Sequence, residues 1–125
     1  MSAGKSPELI RTALTRAFFC EEFSAAAGLR EKDSSLFLMG LLSITDALLD
    51  KPMREVLKSL PVIQEVKIAL CGGTNRVRDV YELVLALERA EWIRLSDIAA
   101  RIGCDEGKIP DCYLSALLRA TSIGA

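Results

Sequence analysis

The sequence predicts an all-α fold, a compact bundle of about seven helices. Apolar residues recur at steps of three and four through most of the chain. No two segments read as paired strands, and no internal repeat is present. Apart from Gly40, the 8 glycines and 4 prolines stand at or near the expected helix ends, so they act as punctuation rather than linker.

The first helix is expected to start at Ser6-Pro7. Serine can cap the free N–H groups, and proline at the first position loses no hydrogen bond. Glu8 complements the positive helix end. Leu9, Ala13, Ala17, Cys20 and Phe23 form a wide apolar stripe, flanked by Leu14 and Phe18, and Gly28 is the expected stop. A second helix, capped by Asp33 or Ser34, is expected to run unbroken to Leu49. It is apolar on nearly every side, which predicts a central position. Gly40 within it should let a neighbouring helix approach closely.

Pro52 and Pro61 read as first-turn residues of two short helices, the second ending at Gly72-Gly73. Thr74 or Asn75 should cap a long helix from Arg76 to about Glu91, with Val77, Val80, Tyr81, Val84 and Leu85 facing inward. Arg78 and Glu82 pair across one turn on its outer face. Ser96 is expected to cap a short helix, Asp97 to Ile102, stopped by Gly103. Tyr113, Leu114, Leu117 and Leu118 mark the last helix, with Pro110 in its first turn. Residues 1–6 are expected to be a disordered or vector-derived leader, and residues 7–122 the helical domain.

Charge excludes some functions. Sixteen basic and 17 acidic residues give a net charge of −1, with no field to gather nucleic acid or an anionic membrane. The longest apolar run, Leu36 to Leu42, is far below the ~20 residues that span a bilayer. The N-terminus lacks a signal-peptide core, so a cytoplasmic location is expected.

Candidate sites are few. Histidine is absent, and Cys20, Cys71, Cys104 and Cys112 include no C-x-x-C pair. No metal site, cofactor or nucleophile–base pair is expected, and the cysteines read as buried small hydrophobes. Asp46 interrupts the most apolar helix, where a charge is costly unless paired. Arg16, which interrupts another apolar stripe, is the candidate partner; a solvated Asp46 is the alternative. Ser96 to Cys112 resembles a helix-turn-helix, yet its second half carries three acids against one base, contrary to phosphate binding. Trp92 and the two tyrosines read as core or boundary residues before interface anchors.

The order of segments carries a family likeness. Arg16-Ala17-Phe18-Phe19-Cys20-Glu21, then Phe37 to Leu49, then Leu60-Pro61-Val62 and Glu65 to Leu70, resemble the HDOD domain found C-terminal to EAL domains in bacterial signal-transduction proteins. Tyr81-Glu82-Leu83, Glu88 to Trp92 and Tyr113 to Leu117 extend the likeness, which runs from about Glu8 to Arg119. HDOD domains are similar to HD-type phosphohydrolases, whose metal-binding helix reads G-L-L-H-D-I-G-K. Here Gly40-Leu41-Leu42-Ser43-Ile44-Thr45-Asp46-Ala47 stands in its place. Ser43 takes the position of the histidine and Ile44 that of the aspartate, and neither holds a divalent cation well. Asp46 falls where the pattern offers no ligand. The resemblance therefore implies the HD-like fold without the metal site or hydrolase activity. It implies a regulatory module beside a cyclic di-GMP phosphodiesterase domain, acting on a protein partner, the adjacent EAL domain or a second copy; the charge balance predicts no nucleic acid or membrane partner. Against the family's full domain the chain starts about midway, which reads as a C-terminal portion. A DNA-binding regulator using Ser96 to Cys112 is the alternative function.

Overall fold

A computed structural model describes residues 7–124; the expected leader at residues 1–6 and the Ser6 cap lie outside them. Among the described residues the chain is all-helical, with eight α-helices and one short 3₁₀ turn: α1 Pro7–Phe23, the turn Arg30–Lys32, α2 Asp33–Leu42, α3 Thr45–Leu49, α4 Met53–Leu57, α5 Gln64–Leu70, α6 Arg76–Arg89, α7 Trp92–Ile102 and α8 Lys108–Gly124.

The hub is α1. It packs against α2, α6 and α8, while α5 and α7 lie on α6. Ala13, Ala17, Phe18, Phe19, Cys20 and Phe23 are buried along it. Phe19 stacks on Phe23 with ring centroids 5.3 Å apart and meets Tyr113 of α8 edge-on at 6.2 Å. Such aromatic pairs add to the area they bury. The expected central helix, α2, is instead a flanking one. It buries Leu36, Met39 and Gly40, and Leu38 reaches the surface. Gly40 explains the contact, because a Cβ there would stand 2.5 Å from the Ala17 Cα of α1. Only a glycine lets the two backbones meet this closely.

Several helix boundaries differ from the sequence reading, two of them through a hydroxyl side chain that competes for backbone groups. The first helix ends at Phe23, because Ser24 Oγ donates to Glu21 O at 2.7 Å and Leu29 N donates to Ser24 O at 2.7 Å, turning the chain five residues before the expected stop. The expected Asp33–Leu49 helix is broken at Ser43-Ile44. Ser43 Oγ donates to Gly40 O at 2.7 Å and Thr45 Oγ1 to Leu42 O at 2.6 Å. The helix after Pro61 begins only at Gln64, since Ile63 is extended with ψ 155°.

Asn75 caps α6 as expected, its side chain accepting from Arg78 N at 2.7 Å. The helix ends on Ala90 in the left-handed region, φ 55°. That turn allows α7 to start at Trp92, four residues before the expected Ser96 cap. Ser96 instead donates to Glu106 Oε2 at 2.8 Å across the turn between α7 and α8. Trp92 and Ile93 are 60% and 82% exposed, so the core or boundary placement of Trp92 fails. No helix among the described residues is long and apolar enough to cross a membrane.

Candidate functional site at the junction of α1, α2 and α6

Ser43 and Ile44 lie where α2 ends, and both are buried. The break in the helix turns the Ser43 hydroxyl toward α1. There Arg16 Nη1 donates to Ser43 Oγ at 3.0 Å. The same guanidinium grips Glu88 of α6 with two bonds, Nε to Oε2 at 2.9 Å and Nη2 to Oε1 at 2.8 Å. This fork is the strong form of an ion pair. The Arg16 and Glu88 side chains are 15% and 21% accessible, so water screens the pair only in part. Burial opposes the charge on Arg16, but hydrogen bonding and attraction from Glu88 outweigh it and hold its pKa above the ordinary value.

Tyr81 closes the site from α6. The Arg16 and Arg78 guanidiniums lie 5.9 and 5.2 Å from its ring centroid, within cation–π range. Burial pushes the Tyr81 phenol up, while Arg16, Arg78 and hydrogen bonding with Ser43 partly counter it. The phenol is therefore neutral near pH 7.

Asp46 is not part of this cluster. Arg16 is spent on Glu88 and Ser43, so the expected Arg16–Asp46 pair does not form. Asp46 sits half-buried in the first turn of α3 and accepts from Ala47 N at 2.9 Å. The helix break removes it from the apolar environment that the sequence reading gave it.

The partner the sequence reading missed is Glu88. It lies 72 residues from Arg16 in the chain. The available signal was that Glu88 interrupts the inward stripe of α6, as Arg16 interrupts that of α1. Opposite charges on two inward faces make natural partners.

The cysteines diverge from their common expectation. Cys20 is buried, Cys104 and Cys112 are half-buried, and Cys71 is exposed. Burial, reinforced by Glu22, pushes the Cys112 thiol up to about 12, and burial raises Cys20 further. Neither is a thiolate nucleophile at neutral pH. Among the described residues no group of three or more carboxylates and cysteines is gathered as for a metal ion. In the segment read as helix-turn-helix, residues 103–107 form the turn, and the second helix is α8, whose Ile109, Ala116 and Ala120 are fully buried.

The fold is an all-α bundle whose inner junction is closed by its own arginine, and comparison with known proteins adds two relatives. The chain is similar over 110 residues, 88% of its length, to Uncharacterized protein YuxH of Bacillus subtilis, at 33% identity. It is a distant homologue of the cyclic di-GMP phosphodiesterase CdgJ of Vibrio cholerae, 29% identical over 105 residues, or 84% of the chain. The chain spans about a quarter of these curated relatives, 26% and 24% of their lengths. No protein-family model and no solved structure matches it.

Proposed function

We propose that the chain is a non-catalytic regulatory and interaction module of the HDOD type, working in a bacterial signal-transduction protein concerned with cyclic di-GMP. The observation that carries this reading is the Arg16–Ser43–Glu88 cluster. At the positions matching the metal ligands of an HD hydrolase stand a hydroxyl and a hydrocarbon. The hydroxyl accepts from Arg16, whose guanidinium also holds both oxygens of Glu88, so the groups gathered at this junction are already satisfied by one another. The likeness to CdgJ supports the signalling context. In this reading the adjacent EAL domain, another protein or a second copy docks on the module, and exposed Trp92, Ile93, Leu114 and Leu118 offer apolar contacts.

The test is turnover of cyclic di-GMP and of bis-p-nitrophenyl phosphate by the purified chain with Mn²⁺ or Mg²⁺. No product above the metal-only control is expected. Metal-dependent hydrolysis that disappears in Asp46→Ala or Ser43→Ala would overturn the reading.

A further inference from the structure

We infer that the cavity between α4 and the end of α5 is a binding site for a small phosphate-bearing molecule with an apolar body. The cavity has a volume of about 800 Å³ and is open to solvent. That lies within the range of small-molecule sites, roughly 300–1,000 Å³. The site stands apart from the Arg16 cluster and does not depend on the function proposed above.

The chain path creates the space. Leu57 is buried and anchors α4. Beyond it the connector is held by Leu60 N donating to Leu57 O at 3.2 Å and Val62 N donating to Leu60 O at 2.9 Å. It then runs extended through Ile63 into α5. These bonds fix the path of the connector, and the cavity is present in the folded chain.

Its lining is chemically mixed in a definite way. Pro52, Met53 and Leu70 supply apolar wall, and Arg54, Lys58 and Glu55 supply charge. Arg54 and Lys58 are four residues apart, hence on one flank of α4, beside the buried Leu57. Ion pairs tie down Arg16, Arg78, Arg94, Arg101 and Arg119 elsewhere on the molecule. Arg54 and Lys58 are exposed and, like several other surface cations, form no ion pair among the described residues. Two unpaired cations against one carboxylate leave the cavity positive in a chain of net charge −1. A phosphate monoester supplies the matching dianion and accepts from both side chains at once. The apolar wall favours a ligand with a flat or aliphatic body over inorganic phosphate.

Cys71 gives a reporter, because it lines the cavity and is the exposed cysteine among the described residues. The experiment titrates 1-naphthyl phosphate, 1-naphthol and inorganic phosphate into the chain by calorimetry, and follows Cys71 alkylation in parallel. Naphthyl phosphate is expected to bind with a dissociation constant below about 1 mM. Naphthol and phosphate alone should bind at least about tenfold more weakly. Binding should slow Cys71 alkylation, and Arg54→Ala/Lys58→Ala should lose both effects. These side chains are exposed, so the double variant should keep its helical circular dichroism. The proposal is overturned by absence of binding at 10 mM, taken as about tenfold beyond the expected range, by equal affinity in the double variant, or by binding that leaves Cys71 alkylation unchanged.

Discussion

Glu82 shows how one side chain can couple two helices. It lies on α6, 15% accessible, and is held by Arg78 at 2.8 Å and Arg94 at 2.9 Å, with Arg101 3.8 Å away. Arg94 and Arg101 belong to α7, so the carboxylate ties that helix to α6. The sequence reading holds only the Arg78–Glu82 pair, because Arg94 falls before the helix start it expects and the packing of Arg101 against α6 is a tertiary contact. Burial raises the Glu82 pKa, but hydrogen bonding and charge from the three arginines outweigh this, and the net shift is downward. A carboxylate with a lowered folded-state pKa stabilises the fold above its unfolded value, about 4.3, and loses that contribution as pH falls through the folded value. Glu82→Gln should therefore cost about 1 kcal/mol at pH 7. The difference should shrink toward zero once the pH falls well below the ordinary glutamate range. Urea midpoints of the two proteins at neutral and acid pH measure this. A constant difference across the range would show that the three arginines do not act through charge.

Helix positions were legible where apolar period and terminal signals agreed. The α6 start at Asn75 and the α8 body are such cases. The breaks at Ser24 and Ser43 were not legible, because a serine hydroxyl bonded to its own backbone leaves no trace in periodicity. At the candidate site, Arg16 and Ser43 were visible as departures from pattern, whereas Glu88 needed the helix packing to be known. Gly40 was read correctly as a close-approach residue, and its role can be tested by sign. Helix propensity alone favours Gly40→Ala by about 1 kcal/mol. Against that, the new Cβ would press on the Arg16 and Ala17 backbone, which cannot move aside as a flexible side chain would. Overpacking of this kind costs about 1–3 kcal/mol or more. The clash should win, leaving Gly40→Ala less stable by about 1–2 kcal/mol in urea unfolding. A stabilised variant would mean that α2 can slide off α1, and that the Arg16–Ser43 contact is loosely held.

The molecule is organised around long-range contacts to α1, and this determines how it should fail. Helix α8 follows α1 by about a hundred residues in sequence yet covers one side of it, with Ile109, Ala116 and Ala120 fully buried and Tyr113 against Phe19. Arg119 fastens the contact, bonding Glu22 at 2.6 Å and lying 4.1 Å over the Phe18 ring. Arg76 fastens the opposite region, donating to Ala27 O and to Ile102 O at the end of α7. Neither α1 nor α6 has its apolar face covered by sequence neighbours alone. Removing residues 108–125 would uncover Phe18, Phe19 and Cys20 on α1. Each large side chain returned to water forfeits about 1.5–3 kcal/mol, and the lost α8 side chains forfeit theirs too. The total approaches the roughly 5–15 kcal/mol that holds a domain of this size together. Truncation before Lys108 should therefore abolish cooperative unfolding throughout the chain, rather than leave α1–α7 folded. Thermal circular dichroism with amide NMR dispersion decides the matter. A sharp transition and dispersed amides in the truncated chain would show that α1–α7 is a self-sufficient core and that α8 is an added cover.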